Sequence, residues 1–137
     1  MTNELRQIII SRLGTIQEEH GITEIGYRQV QDENMYPHIV VDFTGMTPTD
    51  MGREDFLMDV HIWAKSNEQA FDIMDDVRKL FRFWNAPETV DGEIWATFYE
   101  MSGGQIDDPD KTIIHLVLRA QGQVYEKTAT DSSILWR

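Results

Sequence analysis

The chain has no cysteine in its 137 residues. That excludes disulfides, thiolate metal sites and a cysteine nucleophile, and it fits a reducing compartment. No stretch approaches ~20 apolar residues, so no helix is expected to span a membrane. The N-terminus shows no basic region followed by a continuous apolar run, so no signal peptide is expected. Bases are scarce: 12 Lys and Arg stand against 24 Asp and Glu, for a net charge of -12. They are scattered, without the basic patch of a nucleic-acid binder, and phosphate would be repelled on average. The same acidity keeps a surface soluble. There is no internal repeat and no low-complexity tract. At this length a single domain is expected, burying roughly 68% of its unfolded surface without a staple.

The most informative stretch runs from Asp55 to Trp84. Phe56, Met58, Val60, Ile62 and Ala64 alternate with Leu57, Asp59, His61, Trp63 and Lys65. A period of two in large and β-branched side chains predicts a strand. Ser66 then caps a helix, with Gln69 at the position a capping box requires. Ala70, Phe71, Ile73, Met74, Val77, Leu80, Phe81 and Trp84 form a wide apolar face. Acids Glu68, Asp72, Asp75 and Asp76 precede bases Arg78, Lys79 and Arg82, as the helix dipole favours. Asp75 is also placed to meet Lys79 at i,i+4.

A first helix is expected after Thr2 or Asn3, burying Leu5, Ile8, Ile9, Leu13 and Ile16, interrupted by Gly14. Glu18 and Glu19 oppose the dipole at its end, and Gly21 suits the C′ position. Ile22 to Val30 suggests a short edge strand, and Pro37 opens a strand over His38–Phe43. Thr44 to Glu54 is expected as a loop carrying Met46, Met51 and Arg53. Its methionines suit either an adaptable contact or a fold-back onto the core. Asn85 to Gly92 is expected as a turn, Glu93–Met101 as a strand, Ser102–Lys111 as a polar loop and Thr112–Gln121 as the last strand. Gly122–Tyr125 either continues or bends that strand. Residues 1–126 would form the domain and 127–137 a tail or arm, whose Ile134, Leu135 and Trp136 should dock on the domain or on a neighbour.

This order, α-β-β-β-α-β-β, predicts an α+β fold: a mainly antiparallel sheet with two helices packed on one face. The other face would carry Leu57, Trp63, Trp95, Tyr99, Ile113 and Val117, too apolar to be wholly solvated.

Signals for chemistry are thin. His38, His61 and His115 lie on predicted strands and could converge with Asp42 or Asp59, but strand spacing does not place them together. Asp107, Asp108 and Asp110 do not match a calcium loop and suit a turn. Gly103-Gly104 is expected as a hinge or turn rather than a phosphate cradle, because no helix with a Lys follows. There is no G-x-S-x-G. Trp63, Phe81, Trp84, Trp95 and Tyr99 alternate with apolar residues and not with bases, which favours core and interface over nucleic-acid stacking.

An N-terminal helix is followed by Tyr36-Pro37-His38-Ile39-Val40 and a Gly/Pro loop. A long strand from Phe56 to Ala64 then leads through Ser66-Asn67 into an amphipathic helix ending near Phe81. Strands near Trp95–Met101 and Ile113–Arg119 flank an Asp-rich turn. Over roughly residues 3 to 125 this resembles the tail-completion (tail-terminator, head-to-tail joining) proteins of long-tailed bacteriophages. The resemblance implies a virion protein made in the bacterial cytoplasm, which forms a hexameric ring on a finished tail tube. Such a ring ends polymerisation and presents a surface to the head connector. It implies no enzyme activity, no cofactor, no metal and no membrane. DNA would pass through the lumen without specific binding. Interface candidates are Met46, Met51, Arg53, Leu57, Trp63, Trp95, Tyr99, Leu135 and Trp136. Alternatives are another head–tail connector or minor tail component, or a small hydrolase or ligand-binding domain.

Overall fold

The computed structural model describes residues 2–26, 36–48, 53–82, 94–107 and 112–126. Along the chain these form α1 (Thr2–Gly14), α2 (Gln17–His20), β1 (Glu24–Gly26), β2 (His38–Pro48), β3 (Arg53–Ala64), α3 (Asn67–Arg82), β4 (Ile94–Ile106) and β5 (Ile114–Glu126). The fold is α+β, as expected, with three helices instead of two.

The extra helix arises at Gly14. Here α1 ends in tight turns, with Thr15 N–H donating to Arg12 O and Ile16 N–H to Leu13 O, both at 3.2 Å. Thr15 Oγ1 also donates to Arg12 O at 2.7 Å. The chain resumes as the four-residue α2, which Gly21 closes in the left-handed conformation at φ 63. Leu5, Ile8, Ile9, Leu13 and Ile16 are all buried, so the predicted stripe survives the break.

The five strands lie in the order β1-β2-β3-β5-β4. Only β1–β2 is parallel; β2–β3, β3–β5 and β5–β4 are antiparallel. β5 therefore inserts between β3 and β4, which run parallel to each other and are joined through α3. The expected short edge strand is present as β1, and Thr23 N–H ties its start to Pro37 O at 2.9 Å.

The strands are longer than their hydrophobic alternation predicts. The expected 44–54 loop is mostly strand: β2 and β3 stay paired out to Pro48↔Glu54. Likewise the expected 102–111 loop begins as strand, because β4 pairs with β5 as far as Ile106↔His115. Gly103-Gly104 thus lies in β4 and is not a turn. Beyond Gln121, β5 continues to Glu126. Polar and glycine residues are tolerated there because main-chain ladder bonds do not depend on the side chain. The extensions of β2 and β4 each pass a β-bulge, between Phe43 and Gly45 and between Glu100 and Ser102.

α1 and α3 share a core with one sheet face. Phe56, Met58, Val60 and Ile62 of β3, Leu116, Leu118, Ala120 and Val124 of β5, and Ile39 and Val41 of β2 pack with the helix stripes. In α3, Ala70, Ile73, Met74, Val77 and Phe81 are buried. Phe71, expected on this face, is 48% exposed. It lies about 100° round the helix from Ala70, outside the stripe. The predicted cap is formed, with Gln69 N–H donating to Ser66 Oγ at 3.1 Å. Lys79 meets Asp76 at 3.9 Å rather than Asp75. At the other end Arg12 Nε donates to Leu80 O at 3.2 Å, satisfying a terminal carbonyl of α3 from α1.

Candidate assembly surface

The odd-numbered residues of β3 and β5 face away from the helices. Strand register arranges this face in rows. Arg53, Tyr125 and Trp95 share one row, and Gly45, Leu57, Gln121 and Tyr99 share another. Asp42, Asp59, Arg119 and Ser102 form the next, followed by Val40, His61, Val117 and Gly104, then by His38, Trp63, His115 and Ile106. Five of the nine sequence candidates therefore belong to one face: Arg53, Leu57, Trp63, Trp95 and Tyr99. For Trp95 and Tyr99 this is a register position on β4.

The face is more polar at its centre than the sequence suggests. Asp42 and Asp59 stand directly opposite, an unfavourable pairing of like charges. Arg119 relieves it from the next strand. Its Nε donates to Asp59 Oδ1 at 2.9 Å and its Nη2 to Oδ2 at 3.2 Å. Both carboxylate oxygens are thus engaged, which is how Asp59 remains 7% exposed.

Beside this pair the three strand histidines do converge, but by stacking. Trp63 stacks on His115 at 4.1 Å, His38 at 5.0 Å and His61 at 5.4 Å between ring centroids. Tyr36 stacks in turn on His38. His61 Nδ1 meets His115 Nε2 at 2.8 Å, so one ring donates to the other. Burial lowers the His61 pKa below its usual 6.5, partly opposed by the carboxylates of Asp59 and then Asp42. The paired ring nitrogens point at each other, and Asp59 is held by Arg119. Trp63, expected as an interface residue, is only 5% exposed. Its ring nitrogen is buried and has no hydrogen-bond partner among the described residues.

The remaining candidates are dispersed. Met46 sits opposite Phe56 and packs, half-buried, against the core. That placement follows from the β2 bulge, which exchanges the two faces beyond Phe43. Arg53 Nε lies 3.4 Å from Asp55 Oδ1 with both side chains about one-third exposed. Leu57 is half-buried on the outer face, beside Gly45. Met51, Leu135 and Trp136 lie outside the described residues, as do Asp108, Asp110 and Trp84.

The Asp59–Arg119 pair was not singled out by sequence reasoning. Alternation did place both on the outward parity, but their adjacency depends on β5 inserting beside β3, which periodicity does not report.

No family model matches the chain, and no curated protein matches it. Solved structures do. A chain from the virion of a native gene transfer agent particle superposes with a TM-score of 0.71 at 8% identity, covering 90% of this chain and 96% of that one. The gp17 protein of bacteriophage SPP1 superposes with a TM-score of 0.54 at 20% identity, over 86% of each chain. At these identities the likeness is one of fold.

Proposed function

We propose that this chain is a structural virion protein that closes into a ring, a hexamer, on the tail tube of a long-tailed phage. The ring ends tube polymerisation and presents the interface for head joining. The observation that carries this reading is the fold likeness to a chain of the gene transfer agent virion over nearly the full length of both. The likeness to a phage SPP1 protein points the same way.

The chemistry of the chain supports the reading. A closed ring needs two unlike patches on each subunit. The outer sheet face, with Leu57 and the register positions of Trp95 and Tyr99, is one candidate, and the Ile134–Trp136 segment is another. The end of the β2–β3 hairpin, between Met46 and Arg53, is the candidate for the tube. With a net charge of -12, acidic side chains lining the lumen would repel DNA phosphates and let the duplex slide. A ring whose lumen proved neutral or basic would defeat that last point.

The deciding experiment is electron microscopy of lysates from the parent phage lacking this gene. Overlong headless tails beside DNA-filled heads are expected. Normal-length tails that fail to attach would instead assign the protein to a head-side connector, and intact virions would remove it from assembly. A charge at Met51 is the cleaner probe of the hairpin end, because Asp at the core-packed Met46 would also destabilise the fold.

A further inference from the structure

We propose that Glu19 and His20 of α2 and Asp76 of α3 form a divalent transition-metal site. The three offer one ligand atom each, and these atoms lie within 4.8 Å of one another. His20 Nε2 and Asp76 Oδ2 are already 2.6 Å apart. Ligand atoms bonded at about 2.1 Å to a tetrahedral or octahedral ion stand roughly 3–3.4 Å apart. Closing the set around an ion therefore means drawing the donor atoms together from at most 4.8 Å.

The donors come from well-fixed backbone. Gln17 Nε2 donates to Ile22 O at 3.1 Å, and Gly21 N–H to Glu18 O at 3.2 Å, so the α2 turn is pinned on both sides. Asp76 projects from a 16-residue helix whose neighbours Val77 and Ile73 are buried in the core. His20 is 13% exposed and Asp76 27%, enough shelter to hold geometry and enough opening for an ion to enter. The hydrogen bond between them leaves Glu19 with no polar partner among the described residues. A cation at this point also lies at the C-terminal end of α2, the end favourable to positive charge.

One imidazole and two carboxylates suit Zn²⁺, Ni²⁺ or Mn²⁺ better than Ca²⁺, which takes oxygen ligands throughout. The Lys79 ammonium, 3.9 Å from Asp76 Oδ1, is a competing charge. Its side chain is 70% exposed and free to swing away. The bound ion would staple α2 to α3, and so hold the N-terminal helices on the core. This site is independent of the assembly role.

The test is isothermal titration of the full chain with Zn²⁺ and with Ni²⁺, after EDTA treatment, together with Tm at each metal concentration. One ion per chain and a metal-dependent rise in Tm are expected. Glu19→Gln keeps the His20–Asp76 pair, so its metal-free Tm should match the parent while its affinity falls by about tenfold or more. His20→Gln should abolish binding. No binding in the parent would overturn the proposal. So would affinity unchanged in both variants but lost in His115→Gln, which would move the ion to the His61–His115 pair.

Discussion

Phe56 is the hinge of an aromatic chain that joins the sheet to its helix. Its ring meets Phe43 of β2 edge-on at 6.2 Å and Phe98 of β4 edge-on at 5.1 Å, and Phe98 meets Phe81 of α3 at 5.2 Å. Phe56 is 1% exposed. Phe56→Ala removes the ring from a site that three strands and a helix prevent from collapsing. The expected cost is about 3–5 kcal/mol, a large part of the roughly 5–15 kcal/mol typical of a domain. An unfolding entropy of about 2.1 cal/mol/K per residue gives ~0.29 kcal/mol/K for a chain of this length, so Tm should fall by about 14 °C for a loss of ~4 kcal/mol. Urea denaturation with constant m would measure the free energy directly. Phe56→Leu keeps most of the volume and should cost less than ~1.5 kcal/mol. A double-mutant cycle with Phe98→Ala should show coupling of about 0.5–1.5 kcal/mol. An Ala variant within about 1 kcal/mol of the parent would refute the idea that this contact ties sheet to helix.

Two further outcomes rest on His61 and Gly103. The His61 pKa is lowered by burial, so the unfolded chain takes up the proton first and stability is greatest above the unfolded value of 6.5. It should decline as pH drops through 6.5 towards the lowered folded value, then level off. His61→Gln should flatten that part of the curve when denaturation midpoints are compared over about pH 5 to 8. In β4, a Cβ on Gly103 would stand 2.7 Å from a terminal nitrogen of Arg78 and 3.4 Å from Val117 O. Gly103→Ala must push the guanidinium aside at a cost of about 1 kcal/mol, and Arg78→Ala in the same chain should remove most of that penalty in a double-mutant cycle.

The parts of this fold legible in the sequence were those written in one local period. The alternation from Phe56 to Ala64, the Ser66 cap and the α3 stripe were all readable, because burial on one side forces period two or 3.6. Gly21 was readable because its conformation excludes most side chains. The outward set on β3 and β5 was also readable by parity alone. Three things were not. Strand length was underread at both hairpin-like ends, where polar and glycine residues keep a ladder without showing alternation. The insertion of β5 between β3 and β4 is a long-range choice that no local pattern encodes. That choice is what brings Asp59 to Arg119 and His61 to His115. The bulges were hidden too, because one extra residue looks like the end of a strand when the period breaks.

The β2 bulge carries the last prediction. Phe43 pairs with Met58 and Gly45 with Leu57, so Thr44 is the residue without a partner. Deleting Thr44 leaves every later pair available unchanged, Met46 still opposite Phe56 and Pro48 opposite Glu54. The ladder should therefore persist, and stability should change by no more than about 1–2 kcal/mol. What disappears is the local bend and extra twist that the bulge imposes on the hairpin end. If that end grips the tail tube, as proposed, a deletion variant should fold, keep a Met46–Phe56 contact detectable by NMR, and fail to limit tail length. Thr44→Ala, which keeps the extra residue, should cap normally. Tails of normal length from the deletion variant would show that the orientation of this end is not used. Loss of the Met46–Phe56 contact would show instead that the bulge sets register as well as direction, because a slip of one residue turns every following side chain to the opposite face.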